Sequence, residues 1–253
     1  MNEDKAWRNL SQFIGVIQLS SSMPLFKEKS FKDFVLIHVI FAFLAAITIL
    51  FPFPTASIDG KMLLLVILYN ALIVVEFNLK GYSEWRNIWL FSITLSVLMI
   101  FPDWYLAETL GALVFPPGGL PMIGGAIPLY MAGLWAIPFF IIIYIGWEIQ
   151  KEKSIQFTYL IVSIVSVVIF ILSELTLVYL PSWTATVTGM TGNLAWYIII
   201  PELLLGLSAF ICYNAITGRQ IWMNLTGAFI VMILYMGTVS FFYFLIETLL
   251  LGS

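Results

Sequence analysis

Charge, cysteine and histidine are all scarce in this chain. Only 10% of its residues are charged and 61% are hydrophobic, whereas a soluble domain is roughly a quarter charged and half apolar. A water-soluble core cannot hide that much apolar surface, so the chain is read as a membrane protein. Cys212 is the single cysteine and His38 the single histidine. This excludes an internal disulfide, an iron–sulfur cluster and a zinc site rich in thiolate or imidazole, and no cofactor or metal is expected. There is no HExxH, no Ser-His-Asp set and no aspartate-rich cluster that would hold magnesium and a diphosphate. Lysines and arginines are scattered through short loops and the net charge is −3, which argues against nucleic acid as a partner. The first ~30 residues lack an apolar region followed by a small-residue cleavage site, so no cleavable signal peptide is expected.

What is abundant is long apolar runs. Runs over 34–51, 62–77, 88–106, 126–146, 157–180, 196–213 and 223–245 are each of a length to cross a bilayer as a helix. Backbone groups in lipid must be satisfied internally, and the runs are too long and unbroken for the ~10-residue alternating strands of a barrel. The predicted fold class is therefore all-α, a polytopic bundle of about seven transmembrane helices. Residues 1–33 read as a cytoplasmic N-terminal segment and 34–253 as a single transmembrane domain. Within the first, Trp7, Leu10, Phe13, Ile14 and Ile17 recur at helical spacing, the pattern of an interfacial amphipathic helix.

Charge sets the orientation. Lys5, Arg8, Lys27, Lys29 and Lys32 precede the first run, Lys80 and Arg86 follow the second, Lys151 and Lys153 the fourth, and Arg219 the sixth. Only Lys61 falls on the other side, so the positive-inside rule places the N-terminus in the cytoplasm and the C-terminus outside, in the cytoplasmic membrane if the cell is prokaryotic. The two long outer loops, 102–125 and 181–195, contain no lysine or arginine and are expected to fold back over the bundle. Ile127-Pro128-Leu129 and Ile200-Pro201-Glu202 each follow such a loop, an echo that predicts a duplicated helix-loop-helix unit.

Carboxyl groups inside apolar spans are expensive and point to function. Glu174 is predicted about six residues before the outer end of the fifth span and Glu202 six after the outer start of the sixth, which puts both ~9 Å deep. Asp103 and Glu108 flank the outer end of the third span, and Glu247 lies near that of the seventh. Trp104, Trp135, Trp183, Trp196 and Tyr197 accompany them, as Tyr105, Tyr179 and Tyr243 do. A carboxylic acid in an apolar pocket favours its neutral form and becomes a competent general acid, and aromatic faces stabilise a carbocation. Interfacial belts account for tryptophan and tyrosine equally well. Glu76, at the cytoplasmic end of the second span, is read as a salt-bridge partner of Lys80 with a lower-ranked catalytic role, and His38 as a packed residue.

A family resemblance adds a substrate class. Glu108, Thr109, Leu110 and Gly111, followed by Pro117 and Gly119, resemble the E-x-x-G…P-F-G signature of membrane carotenoid hydratases, with Phe115 and Pro121 where that family has glycine and tyrosine. Glu174 followed nine positions later by Trp183 is similar to their D-x8-W element, with Glu for Asp. Ile200-Pro201-Glu202 resembles the I-P-x-E-E motif of the lycopene cyclases, one place early. Glu76 resembles the second-span glutamate of small membrane terpenoid cyclases, with Val75 in place of their tryptophan. These families protonate an alkene or epoxide of a membrane-soluble isoprenoid and then close a ring or add water.

The resemblance implies an isoprenoid cyclase, with a hydratase as the close variant, taking an apolar substrate from the lipid membrane. Glu202 and Glu174 would be the acid and its partner, Asp103 or Glu108 the acceptor of the final proton, and Trp183, Trp196 and Trp104 the wall that stabilises the cation. The rival is a non-catalytic protein, a small transporter or assembly factor, whose acids line a proton or solute path. The sequence leaves the oligomeric state open.

Overall fold

A computed structural model describes residues 28–51, 57–176 and 179–252; the amphipathic helix expected around residues 7–17 lies outside them. Among the described residues seven helices are long and apolar enough to cross a membrane. They are α1 (Lys29–Leu50), α2 (Ile58–Lys80), α3 (Ser83–Thr109), α4 (Met131–Gln150), α5 (Ile155–Thr176), α6 (Trp196–Ile216) and α7 (Met223–Leu250). The fold is an all-α polytopic bundle. The chain divides into two compact units at Ile40 and Phe41. In the first, His38 Nδ1 donates to the Phe34 carbonyl at 2.7 Å and its ring lies 4.2 Å from that of Phe34. The sole histidine is thus satisfied one turn away in its own helix.

In the second unit the helix ends follow from local chemistry. Ser57 caps α2 by accepting from the Gly60 N–H at 3.1 Å. Gly81 ends it in the left-handed conformation, its N–H donating to Phe77. Lys61, the one lysine or arginine near the long loops among the described residues, donates to the carbonyls of Ile49 and Phe51 at 3.3 Å each. It serves acceptors that the end of α1 leaves without a helical donor. At the opposite end Glu76 lies 3.8 Å from Lys80, the expected pairing. Gln150 and Asn214 exchange amide hydrogen bonds at 3.2 and 3.0 Å, clasping α4 to α6.

Three helices are irregular where they meet the long loops. Pro102 lacks an N–H to continue the ladder in α3, and a π-turn, Tyr105–Thr109, follows. In α4 the turn Met131–Leu134 is offset from Ala136–Gln150 at Trp135. α6 opens with a tighter turn, Trp196–Ile198, and carries Pro201 in the next, where its missing donor costs little.

The long loops contain six short strands: β1 (Leu113–Val114), β2 (Met122–Ile123), β3 (Ile127–Pro128), β4 (Thr184–Ala185), β5 (Met190–Thr191) and β6 (Leu194–Ala195). β2 pairs with β3 and β5 with β6 as hairpins, and β1 pairs with β4 across the two loops, Leu113 opposite Ala185 and Val114 opposite Thr184. The order α3–β1–β2–β3–α4 therefore recurs as α5–β4–β5–β6–α6. Equivalent strands pair antiparallel with their positions exchanged, as a local two-fold requires. The element order recurs, but the expected echo does not mark it: Ile127 and Pro128 lie in β3 and α4 begins only at Met131, whereas Ile200 and Pro201 are helical.

Cross-links hold the loops in place. The Thr186 N–H donates to Ala112 at 3.0 Å, and the Tyr130 hydroxyl donates to the Ser182 carbonyl at 3.0 Å. Burial, and after it the neighbouring Asp59, hold the Tyr130 phenol above its ordinary range, so it remains a donor. Asp59, buried at the start of α2, accepts from the Leu120 N–H at 3.5 Å.

Candidate functional site

The repeat fixes where the site's side chains fall. Asp103 stands ten residues before β1 and Glu174 ten before β4; Trp135 stands seven after the end of β3 and Glu202 seven after the end of β6. Asp103 is thus the counterpart of Glu174, and Trp135 that of Glu202. One half of the repeat presents a carboxyl and an indole where the other presents two carboxyls.

All four line one cavity of about 260 Å³, many times the ~10–15 Å³ that a single water requires. Trp183, Tyr197, Tyr235 and Phe170 also face it, and most of the remaining wall is aliphatic or aromatic, including Phe41, Met62 and Leu65. The cavity sits beneath the hairpins, at the loop end of the bundle.

The three acids are held differently. Asp103 is buried, and its Oδ2 accepts from the Trp135 indole at 2.9 Å. Glu174 Oε1 accepts from the Trp183 indole at 3.3 Å. Glu202 is buried, within electrostatic range of Glu174, and receives no hydrogen bond from any described residue. The Trp135 ring is fixed by stacking at 5.8 Å on Phe139 and by contacts with Phe170 and Tyr235 at 5.7 and 6.2 Å. A buried carboxyl without a partner is costly, so Glu202 is the group with most to gain from a ligand. Among the described residues no three carboxylate, histidine or cysteine side chains are grouped as metal ligands.

Residues 100–246, more than half of the chain, match the family described as a domain of unknown function, DUF6989. The chain belongs to this family. The DUF6989 segment contains both long loops and Asp103, Trp135, Glu174, Glu202 and Tyr235, so the acids of the cavity are part of what the family model covers; Phe41, Met62 and Leu65 lie outside it. No curated protein matches the chain, and no solved structure does.

The remaining expected site residues lie off the cavity. Glu108 is exposed on the π-turn of α3, and Trp104 stacks on Phe101 beside Gly124. Trp196 is 43% exposed, its indole donating to Thr191 at 2.9 Å. Glu247 is buried but accepts from the Thr188 and Gly189 N–H groups at 2.9 and 3.2 Å, so it pins the second loop. Glu76 is at the opposite end of α2. Glu174, on α5, and Glu202, six residues past the start of α6, line the same cavity. Sequence reading passed over Tyr235, because a tyrosine in mid-helix among apolar residues gives no signal beyond core packing.

Proposed function

We propose that the chain is a membrane-embedded isoprenoid enzyme that starts its reaction by protonation. Cyclisation of a terpenoid or carotenoid is the lead outcome and hydration its close variant. The observation that carries this reading is Glu202, a buried carboxyl without a hydrogen-bond donor, on an apolar cavity walled by Trp135, Trp183, Tyr197 and Tyr235. Glu202 gives its proton to one carbon of the substrate alkene, whose π pair forms the new C–H bond and leaves a cation on the neighbouring carbon. The ring faces of Trp183 and Trp135 stabilise that cation. Attack by a second double bond closes the ring, and Asp103 takes the proton lost when the last double bond forms. In hydration, water adds instead and gives up its own proton. Glu174 is the partner through which a proton returns to Glu202.

Expression of the full chain in a host supplied with carotenoid or polyprenyl precursors, with mass analysis of the lipid extract, tests this. A product of unchanged mass reports cyclisation, and one heavier by a water reports hydration. Glu202→Gln keeps the shape of the side chain but removes the acidic proton, so turnover should fall by ~10² to 10⁴. Full turnover in both Glu202→Gln and Glu174→Gln, with the protein folded, would overturn the assignment.

One observation favours the second reading, a proton or solute path. Ser92 and Ser96 are buried with unpartnered hydroxyls, and by helical spacing they share a face of α3 with Asp103. Proton flux through the chain in sealed vesicles, abolished by Asp103→Asn, would support it.

A further inference from the structure

Every charged side chain on the cavity is an acid. Asp103, Glu174 and Glu202 line it, and among the described residues no lysine, arginine or histidine does. Lys61, on α2 near the long loops, spends its ammonium on the carbonyls of Ile49 and Phe51. The acids are also incompletely paired. Asp103 uses Oδ2 for the Trp135 indole and Glu174 uses Oε1 for that of Trp183, while Asp103 Oδ1 and Glu174 Oε2 have no hydrogen-bond partner among the described residues. Glu202 has none at either oxygen. The hydroxyls of Ser92, Ser96 and Tyr235 and the indole N–H of Trp147 are unpartnered as well, but they are sealed off from any space. The Glu202 carboxyl is not sealed: it keeps accessible surface in a residue only 3% exposed, and that residue lines the cavity. The cavity reaches the outside of the bundle at the loop end of α5, where Thr176 both lines it and is exposed.

We propose that the cavity is a binding site for a lipophilic cation, a long-chain amine whose ammonium pairs with Glu202 while its hydrocarbon tail lies along the apolar wall. The inference rests on the acids and walls of the cavity and not on the protonation chemistry. A carboxyl without a partner gains most from a donor of opposite charge, since a charge-assisted hydrogen bond is roughly twice as strong as a neutral one. Among the described residues no three acids are grouped closely enough to share a metal ion. The site therefore suits an ammonium held by one carboxylate better than a bare divalent cation, which needs about six oxygens. Asp103 and Glu174 add negative potential around that contact, and the ring faces of Trp135 and Trp183 attract the same charge. An amine that enters neutral from the bilayer takes the Glu202 proton on its nitrogen lone pair, leaving ammonium and carboxylate. A lipid with a carboxylate or phosphate head brings a second negative charge to a cavity without a cation and is rejected.

The test is a binding titration of the full chain in phosphatidylcholine nanodiscs, read by tryptophan fluorescence, since Trp135 and Trp183 face the cavity. The probes are dodecylamine, dodecan-1-ol and dodecanoate, which share a chain and differ in the head. The amine should bind about tenfold more tightly than the alcohol, the size of one charge-assisted hydrogen bond, and the carboxylate more weakly than either. Glu202→Gln keeps the shape of the side chain without its charge. It should bring amine and alcohol within about twofold of each other while leaving the alcohol unchanged. An unaltered amine preference in Glu202→Gln overturns the proposal. Should that variant not fold, the wild-type chain decides: equal affinity of amine and alcohol overturns the proposal, and a tenfold preference upholds it. Failure of all three probes to bind overturns it as well. The titration involves no turnover, so an amine preference dependent on Glu202 stands even if no precursor is ever converted. Turnover of an isoprenoid without any such preference sinks the cation site alone.

Discussion

Trp183 combines two roles that mutation separates. Its indole donates to Glu174 and its ring faces the cavity. Trp183→Leu removes both; under the proposed protonation chemistry it costs up to ~2 kcal/mol of cation stabilisation, so turnover should fall modestly and early-quenched products should appear in the extract. Trp183→Phe keeps a ring face without the donor and should hold the product pattern. Identical product spectra for Leu and wild type would remove the ring from the mechanism. Trp135 has a tighter brief. Fixed by Phe139, Phe170 and Tyr235, its indole holds Asp103 in place. Glu174, Glu202 and Asp103 were legible as candidates because acids in apolar runs stand out. What their neighbours do with them was not legible, since an indole N–H reaches a carboxyl through tertiary packing.

At the scale of elements, the long loops are held by hydrogen bonds to side chains remote in sequence. Glu247, on the π-turn Phe244–Leu250 that ends α7, receives the N–H groups of Thr188 and Gly189. Glu247→Ala would strand two backbone donors, at a cost of roughly 1–3 kcal/mol. A lower thermal midpoint and faster proteolysis within 182–195 should follow. Glu247→Gln retains an acceptor and should recover part of the midpoint with an unchanged product spectrum. A product spectrum altered by Gln at full stability would return Glu247 to the chemistry. Gly189→Ala should loosen the same contact, because a β-carbon there would stand 2.8 Å from Glu247 Oε1 and from Leu251. Glu247 was grouped with the cavity acids in sequence because depth along a helix carries no information about which face a side chain takes.

For the molecule as a whole, Lys80, Arg86, Lys151, Lys153 and Arg219 gather at one end of α2–α7, and the hairpins at the other. The positive-inside rule then predicts a cytoplasmic reading for reporter fusions after Arg86 and Ser154, and an external reading at Gly119 and at the C-terminus. A cytoplasmic C-terminus would reverse that assignment. Lys61 does not weaken the charge argument, because its ammonium is engaged by the carbonyls of Ile49 and Phe51.

Seven helices were determined by the sequence alone, because a bilayer demands about twenty consecutive apolar residues per crossing and composition records that directly. The acids near the loop end were visible for a similar reason, since each breaks an apolar run. The cavity was decided only by tertiary structure. The pairing of β1 with β4 brings two distant loops together, and with them Asp103 and Trp135 from one half of a repeat and Glu174 and Glu202 from the other. The two halves share strand order but almost no letters. A two-residue strand with a hairpin is held by backbone hydrogen bonds, which many sequences can make, so the repeat and the site built on it show only in the folded chain.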